Sequence, residues 1–124
     1  MAATGIIRRG LRVVGVARYL YRVSGRVSVA MRIPEWGYPL HGHDVEVSAC
    51  FESERRVDLE LLYHALEAEL SRIDHRPLWE ALEGMGSTLE DLAEWLTSRL
   101  NSVAGARLVC VEASIPGRSV RVDA

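Results

Sequence analysis

The sequence predicts an α+β domain of order β-β-α-α-β-β, an antiparallel sheet with two helices packed on one of its faces. Three observations predict it. Apolar residues alternate with polar ones from Tyr19 to Ala30 and again from His41 to Phe51. Two leucine stripes at three- and four-residue spacing follow, and β-like segments return after Ala106. Hydrophobic types at 48% and charged types at 26% over 124 residues suit one globular domain with a real core and exclude a largely disordered chain.

The first strand lies within Leu11–Ile33. Tyr19, Tyr21 and Val23 alternate there with Leu20 and Arg22, and Val27 and Val29 alternate with Ser28 and Ala30. Gly25, in mid-run, predicts a bulge or sharp bend. Two prolines and a glycine make Ile33–Pro39 a loop. His41–Phe51 is the second strand and the hairpin partner of the first, with His43, Val45, Val47 and Ala49 on one parity. Asp58 caps the first helix, whose Leu59, Leu62, Leu66, Leu70 and Ile73 form one apolar stripe. Pro77 makes Asp74–Glu80 a loop. Ser87-Thr88-Leu89-Glu90 fits a capping box with Ser87 as the cap. It opens a second helix striped by Leu89, Leu92, Leu96 and Leu100, with Gly105 just beyond its end. Ala106–Ser114 and Ser119–Val122 complete the sheet around the turn Ile115–Arg118.

Seventeen acidic and fifteen basic residues leave a net charge of −2, which argues against a dedicated nucleic-acid binder. No uncharged apolar run approaches the ~18 residues of a membrane span. No signal peptide opens the chain, and two cysteines make no disulfide framework. The expectation is a cytoplasmic single domain over residues 1–124, with residues 1–17 as an N-terminal extension. Every basic residue is Arg, Lys and Gln are absent, and the one Asn is Asn101. That usage fits a protein from a thermophile, and a GC-rich genome gives the same Arg bias. Residues 1–33 carry seven Arg and no acid. Such a stretch is either a basic arm for phosphate or nucleic acid, or an Arg-studded strand that pairs with an acidic surface. Alternation of Arg with apolar residues favours the second.

Three constellations carry possible chemistry. His41 and His43 stand two apart on a strand, so both imidazoles leave one face, a pattern that suits Zn²⁺ and equally fits two strand-end histidines without a role. Asp74-His75 places a carboxylate beside an imidazole, fit for general acid–base work or simply a turn after a helix. Glu112, on a strand between Val111 and Ala113, is suited to accept two N–H bonds from an amidine-like ligand edge or to form a salt bridge. Cys50 and Cys110 read as structural thiols, with Cys110 on the parity of Glu112. His64 reads as a solvent-facing helix residue.

Together these pieces resemble the 6-pyruvoyltetrahydropterin synthase / 6-carboxytetrahydropterin synthase family over roughly residues 18–124. The resemblance rests on His41-Gly42-His43-Asp44, on Ile73-Asp74-His75 with Leu78, on Ser87-Thr88-Leu89-Glu90-Asp91-Leu92-Ala93, and on Val111-Glu112-Ala113, in that order and spacing. It implies the tunnelling fold, whose subunits assemble into a barrel, usually a hexamer of two stacked trimers, with sites between subunits. It implies a lyase that converts dihydroneopterin triphosphate to a tetrahydropterin with loss of triphosphate. Zinc on three His, a Cys base, an Asp–His relay and a pterin-anchoring Glu do that work in the family. Here His41 and His43 match two zinc ligands, Asp74 and His75 match the relay, Glu112 matches the anchor and Thr88 a position near the pterin pocket.

Two departures stand out. Met31 occupies the place of the remaining zinc His, and a neutral thioether suits softer metals better. No Cys lies between residues 31 and 41, so Glu35 is the candidate to replace the thiol as base, or to complete the metal site, but not both. The expected function is therefore a pterin-forming or pterin-modifying lyase, zinc-assisted and homo-oligomeric. The alternative is a catalytically silent homologue that binds a pterin or purine or only assembles, and an RNA- or anion-binding assembly ranks third.

Overall fold

The computed structural model describes residues 18–31, 41–84 and 86–124, with His41 described in its backbone alone. The first strand, β1 (Tyr19–Met31), pairs antiparallel with β2 (His41–Ser53) in unbroken register from Tyr19–Ser53 to Met31–His41. Helix α1 (Leu59–Ile73) follows, then a two-residue strand β3 (Arg76–Pro77) and one helical turn α2 (Leu78–Ala81). Helix α3 (Leu89–Arg99) leads to β4 (Ser102–Val103), β5 (Ala106–Ile115) and β6 (Arg118–Asp123). The sheet runs β3-β1-β2-β5, and β4 and β6 pair with the far edge of β5.

Alternation decides which face is buried. Val23, Val27 and Val29 of β1, and Val45, Val47, Ala49 and Phe51 of β2, all meet the helices, which contribute Leu62, Leu66, Leu70, Ile73, Leu92 and Leu96. Each fully buried aliphatic or aromatic side chain of this set contributes about 1.5–3 kcal/mol relative to exposure. The other face of the sheet carries Arg22, Ser24, Arg26, Asp44, Glu46 and Glu112, and among the described residues no helix covers it. There the arginines of β1 find acids of the same chain. Arg26 Nη2 lies 2.5 Å from Glu46, Arg22 lies 3.8 Å from Glu112, and Arg18 and Arg107 both reach the nearly buried Glu52. The Arg-studded strand therefore pairs with acidic neighbours, as its alternation predicts.

Several local expectations are corrected. Gly25 makes no bulge, because β1 and β2 stay in step past it. Its role is close approach: a Cβ there would lie 2.6 Å from Glu67 Oε2 and 2.8 Å from Leu70 Cδ1 of α1. The bulge falls instead on β5, where Cys50 faces Cys110 but Phe51 faces Leu108, which leaves Val109 as an extra residue. The cap of α3 is Thr88, not Ser87, and its reciprocal partner is Asp91, not Glu90. The box is shifted by one residue because the Asp91 carboxylate accepts from the N–H groups of both Ser87 and Thr88. Asp74–Glu80 is more than a loop, since β3 and α2 form within it. Pro77 serves as the N-cap of α2, where its missing N–H costs nothing. Among the described residues no helix is long and apolar enough to cross a membrane. Residues 1–17 lie outside the described part.

Candidate active site

The end of α1 builds the site. Asp74 closes the helix by donating its N–H to Leu70 O, and His75 then takes a left-handed backbone (φ 60°) that turns the chain toward β1. Two bonds fix this corner. His75 N–H donates to Ser28 O at 2.6 Å, and Ser28 N–H donates to Asp74 Oδ1 at 2.9 Å. Arg76 and Pro77 continue as β3, parallel to Val29 and Ala30. The free edge of β1 is thereby used to place a helix terminus beside the start of β2.

Within that corner Asp74 Oδ2 lies 3.0 Å from His75 Nδ1, with the His75 side chain 79% exposed. The Ser28 N–H, followed by the bond to His75, holds the Asp74 carboxyl below the usual carboxylate range, against the opposing effect of burial. An ionised Asp74 orients the imidazole and leaves Nε2 to exchange protons with a ligand. A cleft of about 440 Å³ opens here, lined by Ser28, Gly42, His43, Asp44, His75 and Arg76 among others. His43 is the Cα partner of Val29, so β1 and β2 carry it to the same rim as the Asp74–His75 pair, although 31 positions separate His43 from Asp74. Ser28 Oγ donates to Asp44 Oδ1 at 2.5 Å.

The other expected residues fall elsewhere. Met31 is the Cα partner of His41, which puts the thioether residue beside the histidine pair in register, as its place in the sequence implies. Among the described residues no three His, Cys, Asp or Glu side chains gather as a metal cluster. Two imidazoles are one donor short of the three protein ligands of a catalytic zinc, and a neutral thioether is a poor third. Glu35, the candidate for that place or for the base, lies outside the described residues. Glu112 sits on the helix-free face of the sheet, in a separate hollow with Arg22, Ser24 and Ser48. Thr88 does not line the cleft. Its hydroxyl accepts from Asp91 N–H at 3.2 Å and donates to Asp91 Oδ2 at 2.8 Å, closing the capping box.

Three polar or charged lining residues were given no role of their own from the sequence, although Asp44 belongs to the His41-Gly42-His43-Asp44 motif. Ser28 and Asp44 are legible only once the hairpin register pairs them, and Arg76 follows His75 directly yet reads there as ordinary loop.

A family model described as 6-pyruvoyl tetrahydropterin synthase matches residues 29–116, from the end of β1 to the β5–β6 turn. The chain belongs to the 6-pyruvoyl tetrahydropterin synthase family. This is a family of pterin-related lyases, and every residue that carries the resemblance from His41 to Ala113 falls inside the match. The 6-pyruvoyl tetrahydropterin synthase of Caenorhabditis elegans has a similar structure, with a TM-score of 0.74 at 19% identity over 88% of this chain and 97% of that one. The uncharacterized protein WS1659 of Wolinella succinogenes gives 0.64 at 18% identity, over 86% of this chain and 98% of the other. At such identities these likenesses bear on the fold, the tunnelling-fold subunit. No curated protein matches.

Proposed function

We propose that this chain is a pterin-forming or pterin-modifying lyase acting on dihydroneopterin triphosphate or a close relative. The observation that carries this reading is the cleft lined by His43 and by His75, the imidazole beside Asp74, within a chain of this family. His75, held by the ionised Asp74, moves a proton at the substrate's side chain, and Glu35 stands in for the family's thiol as base. Glu112 anchors the pterin ring through two N–H bonds, with Thr88 near that pocket. Because Glu112 and His43 lie on opposite faces of one sheet, a site using both is completed between copies of the chain, which supports a homo-oligomer, as a hexamer in this family. Among the described residues no strand pairs with the edge of β1 beyond the two residues covered by β3 or with the outer edge of β6, and both edges could pair in such an assembly. His41 and His43 are the residues that would hold zinc, which when bound supplies a Lewis acid for the substrate's oxygens.

The deciding experiment incubates zinc-supplied protein with dihydroneopterin triphosphate and identifies products by mass spectrometry. A tetrahydropterin or a side-chain-cleaved pterin, with release of triphosphate where the substrate's phosphates are eliminated, is expected. Unchanged substrate, from protein that retains its fold, would overturn the reading in favour of a silent homologue.

A further inference from the structure

The helix-free face of the sheet sets the chain's two cysteines against each other. Cys50 of β2 and Cys110 of β5 are direct Cα partners on that face, with Cys50 half-buried and Cys110 5% exposed. Direct antiparallel partners stand about 4.5–5.5 Å apart at Cα. A disulfide spans about 4.4–6.8 Å between Cα atoms, so direct partners of this kind stand within its reach. The bulge creates the match. Continuing the ladder from Phe51–Leu108 in simple register, with Val109 counted as an ordinary ladder residue, would set Cys50 against Val109 and turn Cys110 toward the core. The two thiols also contact each other: burial, and then the neighbouring Cys50, push the Cys110 thiol up.

We propose that Cys50 and Cys110 form a reversible thiol–disulfide site between β2 and β5. The oxidant is a low-molecular-weight disulfide of the glutathione class. Cys50, the more exposed thiol, gives its proton to solvent, and its sulfur attacks one sulfur of the small disulfide. A mixed disulfide forms and one small thiolate leaves. Cys110 then loses its proton to solvent, its sulfur attacks Cys50 Sγ, and the second small thiolate leaves. The two cysteines give up two electrons, and the small disulfide takes them to become two thiols. The new bond ties the strand that carries His41 and His43 to the strand that carries Glu112.

The test equilibrates the full-length native chain with excess glutathione disulfide, quenches it in acid, alkylates free thiols and reads intact mass and peptides. The expected product is a single chain lighter by two hydrogens, free of alkyl groups, with a Cys50–Cys110 crosslinked peptide that reductant reopens. A Cys110→Ser chain is expected to stop at one glutathione adduct on Cys50. Two free thiols at equilibrium, separate adducts on both cysteines in the unmodified sequence, or a crosslink between copies would each overturn the proposal. These readouts follow sulfur chemistry, so they stand or fall apart from any pterin turnover.

Discussion

Ser28 and Asp74 stand 46 residues apart and grip each other through the backbone: the strand's N–H donates to the carboxylate that ends α1. The neighbouring His75 N–H returns a bond to Ser28 O, so one residue of β1 fixes both members of the acid–imidazole pair. Asp74→Ala removes the acceptor and is expected to cost about 1–2 kcal/mol, read by urea unfolding. Asp74→Asn keeps an oxygen for Ser28 and should lose less stability. Both are expected to lower turnover strongly, because neither leaves an anion beside His75. His75→Asn retains a residue that accepts the left-handed backbone, and product formation is expected to fall about 10²–10⁴-fold with the fold intact.

The same carboxylate predicts an acid-linked loss of stability. Its pKa is lower in the fold than in the unfolded chain, so its contribution is present above the ordinary aspartate range near pH ~4 and disappears as pH falls through the lowered value. Solvent reaches the group, so the increment stays below about 1 kcal/mol. Urea titrations at neutral and acidic pH should show the gap between the natural chain and Asp74→Asn closing on the acid side. A constant gap would assign the difference to packing.

Gly25→Ala tests the contact between β1 and α1. The added methyl meets the mobile end of Glu67, which can swing away, and the buried Leu70 Cδ1, which has less freedom. A net loss of about 1–2 kcal/mol is expected even though alanine is the better strand former. Glu67→Ala combined with it should recover only part of that loss, since the Leu70 contact remains.

Thr88→Ala and Asp91→Ala probe the cap of α3. Loss of the threonine hydroxyl is expected to cost about 1 kcal/mol and loss of the carboxylate more, since Asp91 also accepts from the backbone N–H groups of Ser87 and Thr88. Chemical denaturation separates the two. Any change in turnover for Thr88→Ala must exceed what its lowered stability explains before the residue is assigned to the substrate.

The long elements were legible because each carries its own period. The α1 stripe of Leu62, Leu66, Leu70 and Ile73 is buried, and β1 and β2 keep their predicted parity. What escaped was decided between elements. The two residues of β3 have no pattern of their own and exist because β1 offers an edge. The reason for Gly25 lies on a helix more than forty residues later. Ser87 and Thr88 are equally good caps by type, and only the reach of Asp91 selects one. In the candidate site, His41-Gly42-His43 and Asp74-His75 were each visible as motifs. Their shared cleft depends on the return of α1 to β1, which no local spacing encodes.

Val109 does more than lengthen β5. On its N-terminal side Ala106 and Leu108 point inward, and on its C-terminal side Val111 and Ala113 do, so this one residue resets which parity is hidden. Excising it would straighten the ladder and leave every facing unchanged, because Leu108 inward, Cys110 outward and Val111 inward is plain alternation once Val109 is gone. A homologue lacking one residue there would therefore keep Val111 hidden and Glu112 outward with no compensation elsewhere along the same ribbon.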